Sequence, residues 1–243
     1  MKVAALYDVH GNLPALEAVM ADQRFADADV IVSGGDLVMG PLPAECLDLL
    51  EADGRVGFLS GNGDREAREL DQDGDLGEAA RWCSERLGSE RLARVERWPA
   101  RIELELPGLG AVLFFHATPT SDLSILTRAT PEADVARELG DVAADVVVCG
   151  HTHVQYDRRV GRTRLVNAGS VGMPYEGSPR ARWALLDADG IELLSTPYDS
   201  VAALDALSRT GFPLVQQWLA PVLLGQVTAD EATDEFERRR RGA

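Results

Sequence analysis

Histidine, cysteine and positive charge are all scarce in this chain, and each shortage excludes something. The three cysteines, Cys46, Cys83 and Cys149, are odd in number, far apart and outside any CxxC pair. Neither a disulfide framework nor a zinc–thiolate site fits them, and a reducing cytoplasm is the expected compartment. Cys149 reads as buried strand core, not as a nucleophile. Lysine and arginine number 24 against 40 aspartates and glutamates, a net charge of −16. That balance excludes a broad nucleic-acid-binding face, because such faces gain affinity by setting cations against phosphates and releasing counterions. The one basic run, Arg238–Arg241, reads as a solvated helix end favoured by the helix dipole. Long apolar runs are missing too. The N-terminal stretch breaks at Asp8, short of the roughly 7–15 residues of a signal-peptide core, and no window approaches the ~18 residues of a membrane span. No membrane contact is expected.

What is present suits a soluble globule: 243 residues, 45% hydrophobic and 26% charged, enough to bury a sizeable core. The first half alternates short apolar runs with amphipathic stretches. Val3–Tyr7, Val30–Ser33 and Val56–Ser60 are expected strands, with helices over Leu13–Gln23 and Pro43–Glu51 between them. Asn12 caps the first helix and Pro14 sits in its opening turn. Gly74–Val95 reads as a helix weakened at Gly77 and Gly88. Arg101–Leu106 and Ala111–Phe115 read as a hairpin, Pro131–Leu139 as a helix and Asp145–Cys149 as an apolar strand. Further strands are expected at Arg164–Val166, Trp183–Asp187 and Ile191–Ser195, then helices at Val201–Ser208, Leu214–Leu224 and Ala229–Arg239. The simplest partition is a core over residues 1–198 and a C-terminal helical extension, residues 199–243, packed on the same domain.

The few histidines are where the chemistry lies. His10 stands in Asp8-Val9-His10, His116 ends the apolar run Val112–Phe115, and His151 and His153 form Gly150-His151-Thr152-His153. With Asp36 of Gly35-Asp36 and Asn62 of Gly61-Asn62, the chain offers seven nitrogen and oxygen donors. Asp8, Asp36 and Asn62 are each separated by about one βαβ unit of ~30 residues, so all three should emerge at the same edge of a parallel sheet. Imidazoles and hard oxygens without thiolate suit two divalent transition metal ions: Mn, the preferred assay metal, or Fe, Zn or Ni. Two such ions would outweigh the charges of Asp8 and Asp36 and leave the centre positive enough to hold a phosphate. Metals roughly 3.5–4 Å apart lower the pKa of a bridging water and clamp the attacking and leaving oxygens of an in-line displacement.

The five ordered pieces Asp8-Val9-His10-Gly11-Asn12, Gly34-Gly35-Asp36, Gly61-Asn62-Gly63-Asp64, the strand-terminal His116 and Gly150-His151-Thr152-His153 resemble the motifs of the calcineurin-like metallophosphoesterases. Asn167-Ala168-Gly169-Ser170-Val171-Gly172 further resembles the turn after the last motif in the small bacterial and archaeal phosphodiesterase branch. The resemblance reaches to about residue 196. It implies an α/β (α+β) fold, a four-layer αββα sandwich of two mixed β-sheets with helices outside. It also implies a ligand partition: Asp8, His10 and His153 on the first metal, Asn62, His116 and His151 on the second, Asp36 bridging. The implied reaction is attack by a metal-bridging hydroxide on a phosphodiester or phosphoanhydride of a small nucleotide-like substrate. A phosphomonoesterase or protein phosphatase, a nuclease, and a non-catalytic metal-binding scaffold of the same fold are the alternatives; the acidic surface argues against the nuclease.

One departure stands out. Many family members carry a histidine after the motif asparagine as general acid, and here that position is Gly63, with no other histidine to replace it. No side chain is therefore assigned as a catalytic acid. Lacking an acid worth typically 10²–10⁴-fold, the site should favour substrates with good leaving groups. Asn12 and Asn62 are candidate substrate contacts. Asp64 reads as a supporting or turn residue, Thr118, Ser121, Ser124, Tyr175 and Arg180 as residues near the pocket, and the Trp82 and Trp98 region as a cap over the cleft or a contact in a homodimer.

Overall fold

In the computed structural model, which describes residues 1–242, the first apolar run folds as strand β1 (Val3–Leu6) between two separate cores. Val3 and Ala5, with Tyr7 just beyond the strand, face one core, while Ala4 and Leu6 face the other. Both faces are covered, which is why the run shows no polar alternation. Strands β2 (Val30–Ser33) and β3 (Val56–Phe58) follow in parallel, with Ala4 opposite Ile31 and Val32 opposite Gly57. Strands β9 (Ala181–Asp187) and β10 (Gly190–Thr196) join antiparallel on the other side, for the order β10-β9-β1-β2-β3. The second sheet contains β4 (Arg101–Leu106), β5 (Gly110–Phe115), β6 (Val146–Cys149), β7 (Tyr156–Val160) and β8 (Thr163–Asn167), ordered β4-β5-β6-β8-β7. Its β5, β6 and β8 run parallel.

The two sheets meet face to face through Val3, Ala5, Tyr7 and Val32 on one side and Val112, Phe114, Val148 and Val166 on the other. The Tyr7 hydroxyl crosses the interface and donates to the Val148 carbonyl at 2.9 Å. Outside the first sheet lie α1 (Leu13–Met20), α3 (Pro43–Glu51) and α5 (Gly74–Val95), whose Leu16, Leu47, Leu50 and Leu87 share a core with Ala4, Leu6 and Ile31. Outside the second lies α6 (Glu132–Leu139), whose Val135 and Leu139 cover Leu113, Phe115 and Val147. The expected four-layer sandwich is the observed one. At roughly 1.5–3 kcal/mol for each fully buried large aliphatic side chain, these three clusters are its main driving force.

The chain ends in α7 (Ser200–Ser208), a π-helical turn (Val215–Leu219), α8 (Ala220–Leu223) and α9 (Ala229–Arg240). Leu207, Phe212, Leu214 and Leu219 join the core outside the first sheet. Among the described residues no helix is long and apolar enough to cross a membrane.

Several elements depart from expectation for identifiable reasons. The first helix stops at Met20; Asp22 then accepts from Arg24 N at 3.0 Å and starts a short α2 (Gln23–Ala26). Helix α5 is kinked at Gly88, which sits at φ 69°. The expected helix Leu214–Leu224 is interrupted by the wide turn before Pro221, because proline has no N–H for the i→i−4 ladder. Two elements were not expected: β7, three of whose five residues are charged, and α4 (Asn62–Glu69), whose only apolar side chain is Ala67. Trp82 packs edge-on against Phe212 at 5.4 Å and Trp98 stacks on Phe58 at 4.9 Å, so both serve the core and neither caps the cleft.

Candidate metal centre

Parallel pairing puts the carboxyl ends of β1, β2 and β3, and of β5 and β6, at one edge of the sandwich. From those ends come Asp8 and His10, Asp36, Asn62 at the first turn of α4, His116, and His151 with His153. The backbone there is unusual. Six described non-glycine residues have positive φ, and five of them are Asp8, His10, Asp36, His151 and His153. Left-handed residues cost on the order of 1–3 kcal/mol each, the smaller figure applying to Asp and His, and such strain persists only where surrounding contacts hold it.

Those contacts are mostly backbone. His10 N donates to Asp36 O at 2.8 Å and Asp8 N to Gly35 O at 3.1 Å. Asp64 accepts from four backbone N–H groups, those of Asp36, Leu37, Val38 and Gly61, at 2.8 to 3.0 Å, which fixes the loop carrying Asp36. Burial and the charge of Asp36 push the Asp64 carboxyl up to about 7, against the pull of those donors. The glycines are required by close approach. A Cβ on Gly61 would lie 2.2 Å from Asp36 Oδ1, and one on Gly150 would lie 2.4 Å from Asp8 Oδ2.

The donor atoms converge. His10 Nδ1, His116 Nδ1 and His153 Nδ1 face the carbonyls of Met39, Gly34 and Met173 at 3.0, 3.1 and 2.9 Å. Donation there fixes the tautomer and leaves each Nε2 with a lone pair aimed into the site. His10 Nε2 and His153 Nε2 then stand 3.2 Å apart, and His116 Nε2 lies 3.2 Å from His151 Nδ1 and 3.1 Å from Asn62 Oδ1. Acceptors crowded this closely repel unless a cation lies among them. Asp36 spans the groups, Oδ2 toward His10 at 3.7 Å and Oδ1 toward His116 at 3.6 Å. Asp8 Oδ1 is fully buried without a hydrogen-bond partner, 3.4 Å from His153 Nε2. Asp8, His10 and His153, and separately Asp8, Asp36 and His116, each have ligand atoms mutually within 4.8 Å. Two sets of donors that share Asp8, with Asp36 reaching toward both, fit a pair of cations.

The electrostatics agree for Asp8, His10 and His151, and without a cation they favour a proton on His116. Burial opposes ionisation of Asp8, yet His153, His116 and His10 hold its carboxyl well below the ordinary range. Burial lowers His10, and burial with the neighbouring His116 lowers His151 to about 4, so both present neutral imidazoles. Burial also works against a charged His116, but Asp36 and Asp8 outweigh it and raise its pKa.

All seven sequence-derived donors are thus brought to one place. Asn12 is not part of that cluster. It is fully buried; its Oδ1 accepts from Ala15 N at 3.3 Å and its Nδ2 donates to Gly172 O at 2.9 Å, so a structural role replaces the expected phosphate contact. Gly63 donates its N–H to Asp36 Oδ1 at 2.7 Å, and a Cβ there would meet Met39 Cβ at 2.7 Å. Tyr175 reaches the cleft and stacks on His153 at 4.6 Å, whereas Arg180 is bonded to Ser195. The sequence marked the Asn167–Gly172 turn only by resemblance and left Glu66 unread. Ser170 Oγ donates to Asp8 O at 2.7 Å, and Asn167 Nδ2 donates to Gly150 O at 2.6 Å, so the turn after β8 braces both flanking loops. Glu66, buried on α4, accepts from Asn62 Nδ2 at 3.5 Å, and burial with the Asp36 charge pushes it up to about 7. The only sequence signal for Glu66 was its i, i+4 spacing from Asn62.

The donors open onto a cleft of about 520 Å³, within the range of small-ligand sites. A larger hollow of about 720 Å³, around Arg101, Glu103, Arg137 and Glu138, contains none of the clustered donors.

Comparison with known proteins agrees with this architecture. An uncharacterised protein of Methanocaldococcus jannaschii is 28% identical over 240 residues, covering 89% of this chain and 95% of its own length. A crystal structure of a metallophosphoesterase from Sphaerobacter thermophilus superposes with a TM-score of 0.75 at 25% identity, covering 93% of this chain and 100% of that one. A hypothetical protein of Pyrococcus horikoshii gives 0.77 at 18% identity, covering 93% and 98%, which speaks for the fold alone. The family model of the calcineurin-like phosphoesterase superfamily domain matches residues 1–190, and with the donor cluster at its strand ends the chain belongs to that superfamily.

Proposed function

We propose that the protein is a dinuclear metal-dependent phosphoesterase that hydrolyses phosphodiester or phosphoanhydride bonds of small nucleotide-like substrates. The observation that carries this reading is the set of inward lone pairs on His10, His116 and His153, each held by an outward carbonyl, around the orphaned Asp8 Oδ1. Asp8, His10 and His153 would hold one ion, Asn62, His116 and His151 the other, and Asp36 would join them. Manganese is the preferred metal. When bound, the pair would supply a water acidic enough to attack at neutral pH and charge to draw in the phosphate.

The chain's own residues supply the rest. Gly63 N–H, at the positive end of α4, offsets the charge on Asp36 and fixes its orientation. Glu66 holds the Asn62 amide so that its Oδ1 faces inward, and the glycines at 61 and 150 let the ligand loops close on one another. With Gly63 at the usual acid position, leaving groups that depart as stable anions should react fastest. A panel run with saturating Mn²⁺ tests this: aryl mono- and diesters, 2′,3′- and 3′,5′-cyclic nucleotides and dinucleoside tetraphosphate. Metal-dependent turnover, fastest on anhydrides or aryl diesters and lost in Asn62→Ala, is the expected result. Equal rates on alkyl esters would refute the leaving-group argument, and failure to bind any transition metal would remove the enzymatic reading.

A further inference from the structure

One side of the cleft contains none of the seven clustered donors. Besides His10, Asp36, Asn62, His151 and His153, the cleft is lined by Tyr175, Trp218, Val222 and Phe236, with Glu231, Glu235 and Arg239 as charged members. Apart from Tyr175, this wall comes from the helices beyond residue 198, outside the span matched by the superfamily model. Phe236 lies 6.4 Å from the His151 ring and 6.3 Å from Tyr175, so the aromatic surface is continuous with the donor cluster. Gln217 and Trp218 reach the cleft from the π-helical turn, the irregularity that re-aims side chains in many functional sites.

This wall is built to stay in place. Glu237 of α9 is buried and accepts from Thr127 Oγ1 at 2.7 Å and from Thr130 Oγ1. Arg240 donates to Glu237 at 2.9 Å and to Asp134 at 2.9 Å, so this part of the basic run anchors the helix instead of lying free in solvent. Arg239 differs: its side chain is 63% exposed, its one ion pair is with Glu235 one turn back, a contact easily exchanged for a phosphate, and its Cζ lies 5.9 Å from the centre of the Phe236 ring.

We infer that the helical extension forms a subsite for a planar aromatic group attached to the phosphate, a nucleoside base, with Arg239 placed for a further phosphate of the same substrate. The inference rests on the phosphoesterase reading and narrows its substrate class. Flat apolar rings match the π-face of a base and tolerate any of the four, so the subsite selects nucleotides as a class. A sugar phosphate or an inorganic phosphate chain would leave the aromatic wall uncovered.

Titration calorimetry of Mn²⁺-loaded protein with adenosine 5′-monophosphate and with ribose 5-phosphate tests this without turnover. The nucleotide should bind roughly tenfold or more tightly, by the ordinary strength of base–aromatic stacking. Phe236→Leu and Trp218→Leu, which keep apolar bulk, should each cut that preference severalfold. Equal binding of the two ligands, or a preference undiminished in both variants, would overturn the subsite. Loss of the hydrolase reading is a separate outcome: the nucleotide preference would persist while the whole substrate panel stayed unhydrolysed.

Discussion

The two walls of the cleft are built on different principles. The strand-end wall is specified atom by atom: left-handed Asp and His residues, glycines with no room for a Cβ, and carbonyls that orient each imidazole. The helical wall is specified by bulk and anchored by a few polar contacts such as Glu237 with Thr127. On the proposed function, the difference would separate chemistry from selection. Changes in the first wall should appear in kcat and metal content, and changes in the second in KM.

The sharpest way to break this contrast is to remove a shared donor. Asp36→Ala should lower kcat by more than about 100-fold, beyond the 10–100-fold typical of outer-shell partners, and should release metal measurable by mass spectrometry. Retained metal with a change in KM alone would contradict the assignment. Next comes the support beneath that donor. Asp64→Ala leaves four buried N–H groups unpaired, so a loss of about 3 kcal/mol or more is expected. Calorimetry should show Tm falling by roughly 6–12 °C, at about 2–4 °C per kcal/mol for a chain of this size.

The helical wall should respond differently. Glu237→Ala removes the acceptor shared by Thr127, Thr130 and Arg240 and should cost about 2 kcal/mol. Steady-state kinetics should show KM for nucleotides rising more than kcat falls; the reverse would place α9 in the chemistry.

The smallest effect concerns pH. Glu66 has a folded pKa raised from 4.5 to about 7 by burial and by Asp36, with Asp122 adding to the rise and Arg65 opposing it. A raised carboxyl favours the folded state at low pH, and that advantage is lost as pH climbs from about 4.5 through 7. In metal-free protein, Glu66→Gln should therefore stabilise more at pH 8 than at pH 5, by about 1 kcal/mol once residual solvation is allowed for. A Tm difference independent of pH would show that Glu66 does not titrate in this range.

Legibility followed the same division. Asp8, His10, Asp36, Asn62, His116, His151 and His153 could be found because each ends an apolar run, and strand order carries sequence spacing into space. Helix α4 could not, since its buried residues are Gly63, Asp64, Glu66 and Ala67, a pattern without apolar periodicity. Strand β7 was hidden by Asp157, Arg158 and Arg159, although Arg158 is tied down by donating to the carbonyls of Arg128 and Thr130. The approach of Phe236 and Trp218 to the donor cluster depends on the path of the whole C-terminal segment, which no local pattern encodes. Asn12 carried two readings, helix cap and substrate contact, and the structure bears out the cap: Ala15 N and the Gly172 carbonyl take up its amide.

The donors belong to both sheets, Asp8, Asp36 and Asn62 following strands of one and His116, His151 and His153 following strands of the other. A cation pair held among them would act as a cross-link between two layers otherwise joined mainly by apolar contact, in a chain whose three cysteines are all buried and free. Such a clip can close only after the layers have docked, so metal capture would mark the final step of folding. A chelator would then loosen the sandwich itself as well as silence its chemistry.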